Sequence, residues 1–270
     1  MSIHATAIVS KKARIGKDVE IGPWSIIEDD VLIGDGTKLW QNVYVASGTT
    51  IGANNVIYMG AVLGHEPQHT AYKGEPRSLK IGNNNTIREY VTIHRSFAEG
   101  ASTVIGNGNY FMATSHVAHD CVLGNDIVLC NAALLGGHVE VENKVFMGGG
   151  AAAHQFTRIG TLAMIGGLTR VTQDVVPYTL LECDAEVCGL NLVGLRRSGF
   201  GPETRKQIKE AFNILYREGL SIPSALKRIQ AIPKLFPEVK HMVEFIERSK
   251  RGICSHRRQA GTGGTNNSLD

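Results

Sequence analysis

Residues 15–33 read Ile15-Gly16-Lys17-Asp18-Val19-Glu20-Ile21-Gly22-Pro23-Trp24-Ser25-Ile26-Ile27-Glu28-Asp29-Asp30-Val31-Leu32-Ile33, with an aliphatic side chain at every sixth place. The phase extends in both directions, from Ile3 and Val9 through Leu39, Val45, Ile51 and Ile57 to Leu63. It resumes at Ile81, Ile87 and Ile93, then runs from Ile105 through Phe111, Val117, Leu123, Leu129, Leu135, Val141, Met147, Ala153, Ile159 and Ile165 to Val171. A small or β-branched residue follows four places later, as at Ala7, Ala13, Val19, Ser25, Val31, Thr37, Cys121, Ala133, Val139 and Val145. A helix has a period of 3.6 and a strand a period of two, so neither produces this pattern. A short strand followed by a tight corner does, when it is repeated around a solenoid and each inward side chain stacks on its counterpart one coil away. Three hexapeptides, 18 residues, then complete a triangular coil. The spacing predicts a mainly β fold, a parallel β-helix. Repeats of this class wind left-handed, against the usual crossover preference; the class, not the spacing, carries the handedness.

The repeat body is expected over 1–178, with loop insertions at about 64–80 and 96–104. A connector follows over 179–201, a C-terminal α-helical domain over 202–252 and a disordered tail over 253–270. The helical reading rests on Pro202 at a first helical position and on Ile208, Ala211, Phe212, Leu215 and Tyr216 at helical spacing. Gly219 ends that helix; a second covers about 222–231, and a third starts near Pro237. Open solenoid ends need a cover, and flat prism faces suit side-by-side packing, so a closed homotrimer is expected.

Of 270 residues, 43% are hydrophobic and 20% charged, the composition of an ordinary soluble protein. Residues 1–200 hold 15 Lys/Arg against 18 Asp/Glu, whereas 201–270 hold 13 against 7, so the basic charge lies at the C-terminal end. Such a region attracts an acidic protein or a phosphorylated ligand. The repeat begins at Ile3, leaving no room for a signal peptide, and nothing approaches a transmembrane segment. Five cysteines without a CxxC pair fit a reducing, cytoplasmic setting.

The chemistry is expected in three successive coils. Val117, Leu135 and Ala153 stack in one column; His116, His119, His138 and His154 lie within three residues of them, with Asp120 and Gln155 adjacent. Imidazole there could serve as a general base toward a hydroxyl nucleophile, or three imidazoles (His116, His119 and His138) could hold zinc. No GxSxG pattern supports a nucleophile elbow. In Leu135-Gly136-Gly137-His138, the glycines allow close approach of a substrate and a free N–H for an oxyanion.

Several runs resemble the acyl-[acyl-carrier-protein]–UDP-N-acetylglucosamine O-acyltransferases, which open lipid A biosynthesis. They are Ile87-Arg88-Glu89-Tyr90-Val91-Thr92-Ile93-His94-Arg95, His116-Val117-Ala118-His119-Asp120-Cys121, His154-Gln155-Phe156, Gln173-Asp174-Val175-Val176-Pro177-Tyr178 and Leu195-Arg196-Arg197-Ser198-Gly199-Phe200. The resemblance spans about 1–250. It implies a cytoplasmic homotrimer with active sites between subunits, using acylated acyl carrier protein and a UDP-sugar nucleotide, with no metal, cofactor or nucleic acid. His119 matches the general base, Asp120 the acid that orients it, and Gly137 the oxyanion N–H. His138, His116, His154, Gln155, Asn191 and Arg197 match substrate-holding positions, and Gly167 matches the one that limits acyl length.

The chain departs from the family where His69 and Ala71 replace an Asp and a Lys of the loop over the groove. Glu182-Cys183-Asp184-Ala185-Glu186 replaces a Gly-Asn-Pro segment, Ser198 an Arg and Val193 a Glu. His69 is therefore a substrate-side candidate. These changes keep a 3-amino sugar nucleotide, another acceptor, and a non-catalytic binding paralogue as alternatives.

Overall fold

The computed structural model describes residues 1–182 and 185–256. Two-residue strands stand where the hexads predict them, from Ser2–Ile3, Ile8–Val9 and Arg14–Ile15 onward to Arg170–Val171. Each pairs in parallel with the strand one coil away: Ser2 opposite Glu20, Ile8 opposite Ile26, Arg14 opposite Leu32. The strands form three sheets, the faces of a triangular prism, here numbered one, two and three after those first strands. The fold is a left-handed parallel β-helix.

Most corners turn on one residue in the left-handed region, three places after the inward aliphatic. Asp18, Asp30, Asn42, Asn54, Asn84, Asp120 and Asp126 hold φ between 54° and 60°. Short polar side chains tolerate that region. Trp24, Tyr90, His138, Phe156 and Leu168 occupy it as well, without that tolerance.

Inside the prism the aliphatics form one continuous core. A polar ladder crosses it where Asn55, Asn85 and Asn109 replace the usual small residue, and all three are buried. Asn55 Oδ1 accepts from the Asn85 N–H at 2.9 Å, and Asn85 Oδ1 from the Asn109 N–H at 2.9 Å. Their amide groups donate to Gly82 O and Gly106 O at 2.9 and 3.0 Å. The ladder spans the two coils that carry insertions, where partners lie 30 and 24 residues apart instead of 18. Both insertions leave from face two and return to face three: 66–77 between Val62–His65 and Ser78–Ile81, and 95–101 between Thr92–His94 and Ser102–Ile105. They therefore overhang the same edge.

The connector is more structured than its sequence indicates. Thr179–Glu182 continues face one and pairs antiparallel with Glu186–Leu190, and helix α1 (Leu192–Arg197) follows. Cys183 and Asp184 lie outside the described residues. Helices α2 (Pro202–Tyr216), α3 (Ile222–Gln230) and α4 (Pro237–Glu247) build a second core that packs on Leu162, Val176 and Tyr178 and covers the end of the solenoid. Arg158 pins α4: it donates to Phe245 O at 3.0 Å and lies 4.1 Å from that ring's centroid. Glu142 Oε2 meets His241 Nε2 at 2.7 Å and accepts from Thr161 N and Oγ1 at 2.8 Å each.

The disordered tail expected from residue 253 needs correction. Ile253 bridges Asp174 and His256 bridges Val187, while Cys254 is fully buried and donates its N–H to Asp174 O at 2.9 Å. Those pairings satisfy the open sheet edge and hold 253–256 in place. Residues 257–270 lie outside the described residues.

Two predictions follow from these contacts. Asn85→Ala leaves the backbone N–H of residue 85 on Asn55 Oδ1 but strands the Asn109 N–H and the Gly106 carbonyl, and should cost about 2 kcal/mol in denaturant unfolding; a loss below about 1 kcal/mol would contradict the ladder's role. The hydrogen bond to Glu142 raises the His241 pKa, against a smaller downward effect of burial. Burial raises that of Glu142, but His241 and Thr161 bring it below the ordinary value. The histidine's contribution is lost as pH rises past its folded pKa, and the glutamate's as pH falls below its unfolded one. The melting-temperature gap between wild type and Glu142→Gln should therefore peak near pH 5–6, between the ordinary values of 4.5 for glutamate and 6.5 for histidine, and narrow at both extremes. A gap independent of pH would exclude a titrating pair.

Candidate active site

The edge between faces two and three gathers most of the histidine cluster expected from the sequence. His119 follows strand His116–Val117, and Asp120 is the left-handed corner residue beside it. That corner brings His119 Nδ1 to 2.7 Å from Asp120 Oδ2 with both side chains buried. Asp120 is fixed from three further sides. Its Oδ2 accepts from Phe97 N–H at 3.0 Å, its Oδ1 from Ala98 N–H at 3.1 Å, and its own N–H donates to Thr103 Oγ1 at 2.8 Å. Burial acts to raise the Asp120 pKa, but the bonds from His119, Phe97 and Ala98 outweigh it and hold the carboxyl below its usual value. A carboxylate only accepts, so Nδ1 of His119 carries the proton and Nε2 has the free lone pair.

One coil on, Gly137 and His138 sit over this pair. A Cβ on Gly137 would lie 2.7 and 2.8 Å from His119 Cε1 and Nε2, so only glycine lets the imidazole lie there. Gly137 is buried, and among the described residues its N–H donates to no backbone or side-chain group. Corresponding N–H groups, two places after the inward aliphatic, are capped at Lys17, Ser47, Ala53, Asn83 and Thr161 by carboxylate or amide oxygens. At Gly137 that place is open.

His138 stands edge-on to His119 at 5.3 Å between ring centroids and stacks on Phe156 at 4.6 Å. Its Nε2 lies 3.6 Å from Asp120 Oδ2. Burial lowers the His138 pKa and His119 lowers it further, against an upward pull from Asp120. On the other flank, His69 of the 66–77 insertion stacks on Phe97 at 3.9 Å and meets His119 edge-on at 5.5 Å. His69 Nδ1 accepts the Ala71 N–H at 3.2 Å, which leaves the proton on Nε2. The loop is tied down by Arg95, 3.5 Å from Glu66 and 5.7 Å from the centroid of the Tyr72 ring.

The structure thus gathers His69, His119, Asp120, Gly137 and His138. His116 is set apart: its Nδ1 pairs with Thr92 Oγ1 at 2.7 Å and its ring meets His94 edge-on at 5.1 Å. The expected zinc set of three imidazoles is therefore not assembled. The group that is assembled, His119, Asp120 and His138, has ligand atoms within 4.8 Å of one another, but includes a carboxylate already bonded to His119 and two N–H groups. His154 and Gln155 lie exposed on the next coil of the same edge.

Gly167 is on the far side of face two, at the corner between faces one and two. A Cβ there would meet only Gly149, at 3.3 Å from its carbonyl oxygen, so the space beyond is open. Asn191 caps α1, accepting from Gly194 N–H at 2.8 Å and donating to Leu162 O at 3.0 Å, a fold-holding role that the resemblance did not indicate. Arg197 is exposed in the last turn of α1, beside Ser198 as the helix cap, and Val193 is exposed on the same helix. Sequence reasoning missed Phe97, Ala98 and Thr103. Phe97 and Ala98 belong to an insertion without periodicity and act through backbone N–H groups, which any residue type supplies, while Thr103 lies in the strand Ser102–Ile105 that follows it.

With this geometry in hand, likeness to known proteins is informative. Residues 174–254 match the family described as Udp N-acetylglucosamine O-acyltransferase, domain 2, and 12–47 and 30–65 match the bacterial transferase hexapeptide repeat. The acyl-[acyl-carrier-protein]–UDP-N-acetylglucosamine O-acyltransferase of Thermodesulfovibrio yellowstonii is 51% identical over 93% of this chain and 98% of its own length. That of Halorhodospira halophila is 44% identical over 93% and 98%. The solved UDP-N-acetylglucosamine acyltransferase of Francisella novicida superposes with a TM-score of 0.92 at 36% identity, covering 95% of each chain. Its counterpart from Moraxella catarrhalis gives 0.91 at 38%, covering 94% of this chain and all of the other. Identity of this level over nearly the whole length, together with the shared fold, places the chain in the acyl-[acyl-carrier-protein]–UDP-N-acetylglucosamine O-acyltransferase family.

Proposed function

We propose that the protein moves a 3-hydroxy fatty acyl group from acyl carrier protein to the 3-hydroxyl of UDP-N-acetylglucosamine, the first step of lipid A biosynthesis, with His119 as general base. The observation that carries this reading is the buried His119–Asp120 pair facing an open, buried N–H at Gly137. His119 Nε2 removes the proton of the sugar hydroxyl as its oxygen attacks the thioester carbonyl. Asp120 holds the ring and balances the charge of the imidazolium. The tetrahedral oxyanion takes the Gly137 N–H, a place that carboxylates and amides fill elsewhere in the solenoid. Collapse breaks the C–S bond, and the leaving thiolate recovers the proton from His119. His138 and His69 flank the reacting atoms, with His154 and Gln155 further along the groove.

Gly167 lies across face two from His119, so an acyl chain that starts at one and is measured by the other must cross between two protomers. That division supports a homotrimer whose clefts join unlike edges. No helix among the described residues is long and apolar enough to cross a membrane. We assign the protein to the cytoplasm, in keeping with Cys121, Cys130 and Cys254, which form no disulfide among the described residues. The acidic carrier protein would dock on the helical domain, where Lys206, Lys209 and Arg228 line a cavity of about 650 Å³ and Arg205 is adjacent.

His119→Ala should lower kcat by at least ~10³-fold, on the scale of losing a general base, while the oligomer persists. Gly137→Ala should lower it by ~10²-fold or more through the displaced imidazole and obstructed N–H. Both rates are read in a transfer assay run with and without a chelator; retained turnover in His119→Ala, or loss of wild-type turnover on chelation, overturns the assignment. Reversing charge at Arg205, Lys206 and Lys209 should raise the KM for acyl carrier protein several-fold and leave that for the sugar nucleotide unchanged. An unchanged carrier KM removes the docking site.

A further inference from the structure

On the outer side of face one, the residue after each inward aliphatic forms a column along the solenoid: His4, Gly22, Trp40, Tyr58 and Arg88. Three consecutive rungs are planar groups already in contact. The Trp40 and Tyr58 rings stack at 5.6 Å between centroids and 8° between planes, and the Arg88 guanidinium lies 4.5 Å from the Tyr58 centroid. Arg88 is held flat by Glu89 at 2.7 Å and Tyr110 at 3.0 Å. At the next coil the column stops, because position 22 is glycine and has no side chain. One coil further it resumes with the His4 ring, whose Nδ1 is bonded to Thr6 Oγ1 at 3.0 Å.

The missing rung is a cleft of about 500 Å³, bounded by His4 on one side and Trp40 on the other, with Gly22 and Pro23 as its floor. Trp40 is 47% exposed, and the face of its indole away from Tyr58 looks into the cleft. Two coil rises separate His4 from Trp40, roughly 10 Å at strand spacing. A single flat ring at the level of Gly22 would stand about 5 Å from each, within the range that stacked aromatic pairs adopt. The rim is polar and of mixed sense. Glu20 and Lys38, paired at 2.8 Å, and Gln41 line the same cleft. Glu20 accepts hydrogen bonds, Lys38 donates them and the Gln41 amide does both.

We infer that this cleft is a second binding site, which takes the base of a nucleotide as the missing rung between His4 and Trp40. A ring with both N–H and C=O groups on its edge suits that rim, where Glu20 and Gln41 can accept and Lys38 and Gln41 can donate, whereas a phenyl ring uses none of these groups. The site lies four coils from His119, roughly 19 Å along the axis, and on another face. It is therefore distinct from the acyl-transfer groove and does not depend on the reading of that groove.

Trp24 and Trp40 are the only tryptophans in the chain, so a Trp24→Phe variant makes Trp40 the sole indole reporter. Its fluorescence is titrated with uridine 5′-monophosphate, adenosine 5′-monophosphate and ribose 5-phosphate. The expected result is saturable quenching by one or both nucleotides and none by ribose 5-phosphate; the more effective nucleotide names the base. Stacking on an aromatic wall contributes enough that adding His4→Ala should weaken binding at least five-fold, with the melting temperature of this exposed substitution unchanged. Absence of quenching at millimolar nucleotide, equal quenching by ribose 5-phosphate, or indifference to His4→Ala overturns the inference. So does an emission shift that follows protein concentration instead of nucleotide, which would make a second copy of the chain the occupant.

Discussion

Everything in this molecule depends on the hydrogen bonds that tie each coil to the next. Ser2 N–H reaches Val19 O, Ile8 N–H reaches Ser25 O, and Arg14 N–H reaches Val31 O, each at 2.8 Å, and the pattern repeats along the axis. Among the described residues no hexad strand has a partner within its own coil, so an isolated coil has no sheet at all and the solenoid's stability comes from stacking. The constraint also fixes function: residue i lies over residue i+18. A catalytic group on one coil and an N–H on the next are set at strand spacing before any side chain is chosen. His119 and Gly137 stand in that relation, and the price is that neither can move without shifting a whole coil.

The corners add a second constraint. Most hold a left-handed residue, and on the edge proposed for catalysis those places are taken by Asp120, His138 and Phe156, at φ of 60°, 60° and 63°. Aspartate accepts this conformation readily; histidine and phenylalanine do so less well. Such strain persists where surrounding structure over-determines it. Here the ladder bonds do so, since His138 N–H donates to His119 O at 3.0 Å and Phe156 N–H to Gly137 O at 3.1 Å. The turn that aims Asp120 back at its neighbour, and so makes an adjacent His-Asp pair a hydrogen-bonded unit, is the same corner that closes the prism elsewhere.

Much of this was legible in the sequence because an 18-residue coil converts spacing into position. The hexads located the strands, and the column Val117, Leu135, Ala153 placed His119, Gly137 and His138 on one edge. Spacing failed where position alone is insufficient. His116 is only three residues from His119 but belongs to the strand's outer surface, where it turns to Thr92. His69, Phe97 and Ala98 come from insertions whose path no period describes. Asn191, which the resemblance alone matches to a substrate-holding position, also caps a helix, and its amide is used on both sides there. Residues 253–256 carry no strand signal; the edges offered by Asp174 and Val187 order them.

The insertions also settle the electrostatics. Without the 95–101 loop, Asp120 would keep the bond to His119 but lose both N–H donors from Phe97 and Ala98, which act to lower its pKa. The loop therefore helps keep that carboxyl charged. Around it, burial lowers the pKa of His116 and His138, and takes that of His94 to about 4, with neighbouring imidazoles adding to the effect. These rings stay neutral near pH 7. A cluster that would otherwise share Asp120 among several cations thus leaves it to one. In the proposed reaction His119 takes up a proton, the carboxylate 2.7 Å from Nδ1 is the charge that meets it, and the neutral neighbours can donate to substrate without competing for that pair.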